Sequence, residues 1–166
     1  MKVKQLIVNF AVSLLLVITS SAAMAEGCGD GVLENESFGN LLVSLESSCA
    51  IISSTINGNL TIRGTDNVLL LNNKVGGRIW VVRTDGQEGI GVASVVANTV
   101  ISGDLIVFEH GTANVIENET LSGRITVNRN AKALVQKNIA AGNLICLNNT
   151  TLSAFLNVAG GTLNCE

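Results

Sequence analysis

The sequence contains no proline and no tyrosine, and only one tryptophan and one histidine occur among its 166 residues. Charged residues make up 14% and the formal net charge is −3, so the excess of Lys and Arg that nucleic-acid binding requires is missing. Hydrophobic residues make up 47%, which is too many for a disordered chain. One histidine and four cysteines without a CxxC pair predict no metal site, and no cofactor motif is present.

Residues 1–25 have the pattern of a secretory signal peptide. Two lysines precede an apolar run over residues 6–19, and residues 23–25 supply the small side chains that signal peptidase requires. This run is too short for a membrane-spanning helix, which needs about 20 apolar residues. We therefore predict cleavage and no stable membrane insertion, with an uncleaved anchor or a lipidated Cys28 as the alternatives. Residues 26–166 are then exported to the periplasm or the extracellular space, where cysteines form disulfides.

A short motif recurs along the rest of the chain: an apolar residue, any residue, Gly, any residue, and two apolar residues separated by one position. Its glycines are 19, 19, 26, 20, 19 and 19 residues apart. These anchor glycines are Gly39, Gly58, Gly77, Gly103, Gly123, Gly142 and Gly161. A second apolar stretch lies between successive anchors, and in five repeats an asparagine follows it: Asn73, Asn98, Asn118, Asn138 and Asn157.

Apolar runs rich in Val and Ile that alternate with polar residues predict short β-strands. Two or three such strands in about 19 residues match one coil of a solenoid, in which coils stack about 4.8 Å apart. We predict an all-β fold: a single-stranded parallel β-helix of about six to seven coils over residues 39–166, with residues 26–38 as an N-terminal cap. Right-handed crossovers are the general preference, so we expect a right-handed helix.

Charged residues provide a separate test of this register, because like charges directly above each other are unfavourable. Opposite charges alternate in three columns of the predicted stack. These columns are Arg78, Asp104 and Arg124; Arg83, Glu109 and Arg129; and Glu117 with Lys137. The asparagines fall in a fourth column, where we expect an amide ladder at a corner rather than metal or sugar ligands.

The four cysteines fit two disulfides. Cys146 and Cys165 occupy the same column of adjacent coils, at a spacing inside the disulfide range. Cys28 and Cys49 then tie the N-terminal cap to the first coil. Each closure of about 20 residues contributes about 3 kcal/mol in the chain-entropy model.

The sequence gives little indication of catalysis. His110 lies beside Glu109 in a predicted turn. A catalytic histidine needs a nucleophile next to it, and nothing in the sequence places one there, so we expect a solvated turn residue. An insertion over residues 84–91 explains the 26-residue spacing. We interpret it as a tolerated surface loop, with a weak cation site or a mobile lid as the alternative.

The strand after the anchor glycine has an unusual outer face. The register places Trp80, Val82, Ile106 and Phe108 together on this face, bordered by Arg78, Asp104 and Arg124. The candidate binding residues are Trp80, Ile106, Phe108, Arg78, Asp104 and Arg124, because an outward apolar patch usually marks a contact surface. The alternative is that the patch is covered by the N-terminal segment around Val32, Leu33 and Phe38, or by the insertion.

The repeats over residues 39–165 resemble secreted bacterial right-handed parallel β-helix proteins, and the resemblance is one of architecture. Long members include pectin-active lyases and hydrolases, whose catalytic clusters lie on one strand face, but here that face offers only Asp104. We therefore expect an exported, non-catalytic structural, adhesive or partner-binding module. Its partner is a cell-envelope protein, a glycan or a second copy of the chain, since an open coil end can pair with another chain. The alternative function is glycan binding, or activity on a glycan, at the face around Trp80.

Overall fold

The computed structural model describes residues 24–29, 31–83 and 90–165. These residues form a parallel β-solenoid of about seven coils, which confirms the predicted fold class. All 22 strands of the described ranges pair in parallel, in three sheets stacked along the solenoid axis. No helix long and apolar enough to span a membrane occurs in these ranges.

Each coil contributes one strand to each sheet, and we number the strands in chain order. Sheet 1 contains β1 (Met24–Glu26), β4 (Asn40–Ser44), β7 (Leu60–Arg63), β10 (Ile79–Val82), β13 (Leu105–Phe108), β16 (Ile125–Asn128), β19 (Leu144–Leu147) and β22 (Leu163–Asn164). Sheet 2 contains β2 (Val32–Glu34), β5 (Ser48–Ile52), β8 (Asn67–Leu71), β11 (Val92–Val96), β14 (Thr112–Ile116), β17 (Lys132–Gln136) and β20 (Thr151–Phe155). Sheet 3 contains the two-residue strands β3 (Ser37–Phe38), β6 (Thr55–Ile56), β9 (Lys74–Val75), β12 (Thr99–Val100), β15 (Glu119–Thr120), β18 (Ile139–Ala140) and β21 (Val158–Ala159).

The core is a set of aliphatic columns, one residue per coil. In β16, Ile125 and Val127 are fully buried while Thr126 between them faces outward, as the period of two requires. Ile125 pairs in register with Leu105 on one side and with Leu144 on the other. Such columns form the hydrophobic interior that no single coil could bury alone.

The residue after most strands of sheets 1 and 2 has a positive φ, which turns the chain sharply toward the next sheet. The sequence predicts Gly and Asn at these corners, but most of them carry other residues, including Ala97 (φ 54°) and Glu117 (φ 56°). A left-handed conformation costs such residues about 1 kcal/mol. These residues retain the left-handed conformation because hydrogen bonds on either side of each corner hold the backbone in place.

The predicted asparagine ladder is the main set of these bonds. It follows the corner after sheet 2, and each side-chain Oδ1 accepts the backbone N–H of the ladder residue in the preceding coil at 2.9–3.0 Å. Ser54 begins the ladder, and its hydroxyl accepts the Glu36 N–H. Ser54, Asn73, Asn98, Asn118 and Asn138 are buried. Hydrogen bonds to buried amides stabilise the corner because the alternative is an unsatisfied backbone group.

The anchor glycines are needed where the chain enters sheet 1. A Cβ on Gly77 would overlap the Asn59 Oδ1, and one on Gly123 would overlap the Gly103 carbonyl oxygen. Any larger residue at these positions forces successive coils apart. The recurring Gly thus marks a close approach between coils.

At the N-terminus, the structure adds strands to the segment expected to be a cap. Within residues 26–38, β2 pairs with β5 and β3 pairs with β6. β1 includes residues 24 and 25, the last two of the predicted signal peptide, and pairs with β4. Residues 1–23 lie outside the described ranges.

Both predicted disulfides are present. Cys28 is bonded to Cys49 and Cys146 to Cys165, with Cα–Cα distances of 5.5 Å and 4.6 Å. Each bond links the outermost described coil at one end of the solenoid to the next coil inward. They are compatible with an oxidising, exported environment.

Candidate binding face on sheet 1

The structure brings the three candidate apolar residues together on the outer face of sheet 1. Trp80 pairs with Ile106 between β10 and β13, and Phe108 lies two residues beyond Ile106 on the same strand. All three side chains are half-buried, so the patch is less exposed than the sequence suggests. The prediction is wrong for Val82, which is only 4% exposed and is flanked in register by the larger side chains of Arg63 and Phe108.

Arginine side chains cover much of this patch. The guanidinium carbons of Arg63 and Arg78 lie over the Trp80 ring, 4.9 Å and 5.0 Å from its centroid. Arg129 lies over the Phe108 ring at 5.4 Å. Guanidinium groups are attracted to the electron-rich face of an aromatic ring. This packing explains why Trp80 and Phe108 are half-buried although they point away from the core.

The two guanidiniums approach Trp80 from opposite directions. Arg78 immediately precedes β10, two residues before Trp80, whereas Arg63 pairs with Val82, two residues after it. The two guanidiniums therefore reach the same indole from backbone positions on either side of it along the strand. A sugar ring stacking on Trp80 would have to displace one of these arginines, so the side chains presented to a ligand are the guanidiniums themselves.

Asp104 and Arg124 form an ion pair at the border of the patch. The Arg124 Nε lies 3.0 Å from one carboxylate oxygen of Asp104, and the Arg124 backbone N–H donates to the other at 2.9 Å. Glu109 with Arg129 (3.4 Å) and Glu117 with Lys137 (3.1 Å) are paired as the charge columns indicate. The first arginine of each arginine column does not pair with the acidic residue of its own column. Arg83 instead contacts Asp66 at 2.9 Å, and Arg78 stacks on Trp80.

Arg63 was missed by the sequence analysis. It pairs in register with Val82, whereas its contact with Trp80 is diagonal between the adjacent strands β7 and β10. Within the described ranges, no carboxylate lies within salt-bridge distance of Arg63 or Arg78. Both side chains are exposed, and both retain their hydrogen-bonding capacity for a ligand.

A shallow cleft of about 240 Å³ lies beside this pair, lined by Asn40, Leu41, Leu42, Asn59, Thr61, Arg63 and Arg78. The Oδ1 of Asn40 accepts the Asn59 N–H at 2.8 Å, and the Oδ1 of Asn59 accepts the Arg78 N–H at 3.0 Å. Because both carbonyl oxygens are engaged, the two amides present their Nδ2 groups as donors. The polar surface of the cleft is thus rich in hydrogen-bond donors.

His110 does not lie in a solvated turn, and that expectation was wrong. Its side chain is 1% exposed, and its backbone N–H donates to the Oδ1 of Asn130 at 2.9 Å. Asn130 in turn donates to Asn149 at 3.0 Å through both its backbone N–H and its Nδ2. These residues form a second ladder, at the corner after sheet 1, seven residues beyond the anchor glycine of each coil.

Glu46 occupies the same ladder position in the first complete coil. Its Oε1 accepts the backbone N–H groups of Cys28 at 2.8 Å and Gly29 at 3.2 Å. The Cys28 and Cys49 sulfurs nearby are bonded to each other. The cluster of these three residues therefore holds the N-terminal segment on the first coil, with both sulfurs in a disulfide and the Glu46 Oε1 bound by two backbone N–H groups.

A larger groove of about 390 Å³ lies on the outer face of sheet 2 and was not predicted. Small and apolar side chains line it, including Val32, Ala50, Leu69, Val92 and Ser94. None of its described lining residues carries a charge. The insertion that the sequence offers as a cation site or lid falls mainly on residues 84–89, outside the described ranges.

Comparison of the chain with protein-family models, with curated proteins and with solved structures gives no match.

Proposed function

We propose that this protein is an exported, non-catalytic binding module whose solenoid presents the outer face of sheet 1 to a partner in the cell envelope. The observation that carries the proposal is the stacking of both Arg63 and Arg78 on the Trp80 ring. Stacked side chains hold two exposed cations in fixed positions on a rigid sheet. A preorganised surface of this kind loses little conformational entropy on binding.

A binding role fits this face better than catalysis. Asp104 is the acidic residue that the sequence places here, and both of its oxygens accept hydrogen bonds from Arg124. General acid–base chemistry needs a group that can exchange a proton with the substrate. A carboxylate bound in this way instead fixes the position of its partner.

Export to the periplasm or the extracellular space is part of the proposal. The signal-peptide pattern and the two disulfides support it. Expression of the full chain with a C-terminal tag, followed by fractionation and N-terminal sequencing of the mature protein, tests it. A mature N-terminus at residue 26 is expected, and an uncleaved chain in the cytoplasm would contradict export.

The contact face is tested by cosedimentation with washed cell envelopes. Wild-type protein is compared with the variant Trp80→Ala and with Lys132→Ala, which removes an exposed cation from sheet 2. We expect Trp80→Ala to weaken retention and Lys132→Ala to leave it unchanged. Equal retention of all three would place the contact elsewhere and overturn the proposal.

Self-association is the second candidate, because the apolar residues Ile106 and Phe108 on the same face can pack against a second copy. Light scattering over a range of concentrations distinguishes the two functions. An oligomer that dissociates on dilution, and that Phe108→Ala converts to a monomer, makes sheet 1 an assembly surface. A wild-type monomer at all concentrations assigns the face to another partner.

A further inference from the structure

We infer that the cleft beside Arg63 and Arg78 binds an anionic saccharide carrying carboxylate or sulfate groups. The inference rests on the proposed function, because it specifies the chemistry of the partner that sheet 1 contacts. It starts from the difference between these two arginines and the other arginines of the described ranges. Arg83, Arg124 and Arg129 each contact a carboxylate, whereas Arg63 and Arg78 contact the indole of Trp80.

The stacking fixes the spacing of the two positive charges. Each guanidinium carbon lies about 5 Å from the Trp80 centroid, and the two arginines extend from backbone positions on opposite sides of Trp80 along the strand. The edges of both groups remain exposed for bidentate hydrogen bonds to a carboxylate or sulfate. A ligand with two negative groups on neighbouring units engages both arginines without moving Trp80.

The other polar groups of the cleft are hydrogen-bond donors, so they favour a ligand that is rich in acceptors. Asn40 and Asn59 present Nδ2 donors because their carbonyl oxygens bind backbone N–H groups. The described residues that line the cleft include no acidic side chain. An extended acidic peptide would bring backbone N–H groups that find few acceptors here. Each N–H group buried without a partner would lower the binding free energy gained. A carbohydrate with carboxylate or sulfate substituents carries the excess of acceptors that these donors require.

The repeat also provides a spacing suited to a linear polymer. Asn40, Asn59 and Arg78 occupy one column on successive coils, so their donors recur about 4.8 Å apart along the solenoid axis. A saccharide chain lying along this axis meets a polar group on each coil. The shallow cleft of about 240 Å³ accommodates a chain that lies on the surface.

Trp80 is the only tryptophan of the chain, so its fluorescence reports directly on the site. The test titrates the full mature protein with dextran sulfate, carboxymethyl-dextran and unmodified dextran of equal length. We expect the two charged polymers to change Trp80 emission and the neutral polymer to leave it unchanged. Raising NaCl from about 50 to 200 mM weakens the charged complexes several-fold, because the contacts are electrostatic.

The double variant Arg63→Gln/Arg78→Gln retains Trp80 and removes both charges. We expect its affinity for the charged dextrans to fall by about tenfold or more, since two charge-assisted contacts are lost. The matched control Lys74→Gln/Lys132→Gln removes two exposed positive charges from sheets 3 and 2, away from the cleft, and should change affinity by less than about twofold. Circular dichroism verifies that both variants are folded.

Three results would overturn the inference: unchanged affinity of the Arg63→Gln/Arg78→Gln variant, equal binding of neutral dextran, or equal binding of inorganic polyphosphate. The last would show an anion site without preference for a saccharide. The same variant in the envelope assay separates this failure from failure of the proposed function. If it loses envelope retention while wild type binds no charged dextran, the contact face stands and only the ligand class is wrong.

Discussion

Asn98 donates both its backbone N–H and its side-chain amide to the Oδ1 of Asn118, each at 3.0 Å. Asn118 in turn donates its Nδ2 to the carbonyl oxygens of Val95 at 2.7 Å and Ile116 at 3.1 Å. One side chain thus satisfies polar groups from two coils at a corner buried from solvent. This corner is where the strands turn from sheet 2 to sheet 3, so the backbone there cannot complete a regular ladder by itself.

Replacement of Asn118 by Ala should lower the free energy of unfolding by about 3 kcal/mol, because buried donors and acceptors lose their partner. The control is Asn114→Ala, whose half-buried side chain on the outer face of sheet 2 bonds only to Ser94 at 3.2 Å. We expect a loss below about 0.5 kcal/mol for that variant. Urea unfolding measures both. Similar losses would mean that the ladder adds nothing beyond an ordinary surface contact.

The anchor glycines predict a graded effect within one column. A Cβ on Gly123 would overlap the Gly103 carbonyl oxygen, whereas one on Gly142 would lie 3.0 Å from the Gly123 oxygen. Gly123→Ala should therefore destabilise by about 3 kcal/mol and Gly142→Ala by about 1 kcal/mol. Thermal unfolding of the two variants gives the comparison. The close-approach explanation fails if Gly142→Ala is the more damaging substitution.

The left-handed corners predict a stabilising substitution. Ala97 has a φ of 54°, a conformation that glycine adopts without steric cost. Ala97→Gly should therefore stabilise the protein by up to about 1 kcal/mol, even though glycine gains more freedom in the unfolded chain.

Ala113→Gly provides the matched control for this substitution. Ala113 is fully buried in β14, in extended backbone, and the same change there should destabilise by about 1 kcal/mol. The midpoint of denaturant unfolding is the measurement. A shift of the same sign for both variants would exclude strain relief at the corner.

The sequence predicts most of the fold because the stack requires each column to repeat one residue type. A position that faces the core in one coil does so in the next, as Ile79, Leu105 and Ile125 show. The asparagine ladder is visible for the same reason, since each amide needs a partner of similar length. Periodicity therefore predicts the strand positions, the register and the Cys146–Cys165 disulfide, and the two remaining cysteines form the other bond.

The candidate site is less predictable, because its contacts cross columns. The Arg63 contact with Trp80 is diagonal, and a comparison of residues at equal positions does not reveal it. The second ladder is hidden because its residues differ in type, with Thr65, His110 and Asn130 all buried at equivalent positions. A lone histidine beside a glutamate resembles a surface turn unless its offset from the anchor glycine is compared with that of Asn130.

The C-terminal disulfide predicts a local loss of stability. Replacing Cys146 and Cys165 together by Ala opens a closure of 19 residues, which contributes about 3 kcal/mol in the chain-entropy model. Coils in a solenoid contact only their neighbours, so the loss should appear first in the last coil. We expect amide protons of β19 and β22 to exchange faster while those of β10 and β13 keep their protection. Hydrogen exchange monitored by mass spectrometry resolves these segments.

Replacing Cys28 and Cys49 by Ala is the matched control at the other end of the solenoid. That variant should speed exchange in β2 and β5 and leave β19 unaffected, because about four coils lie between them. If either double variant instead accelerated exchange equally in all coils, the solenoid would unfold as one unit. The disulfides would then act on global stability, and the argument that they protect the two ends against fraying would be wrong.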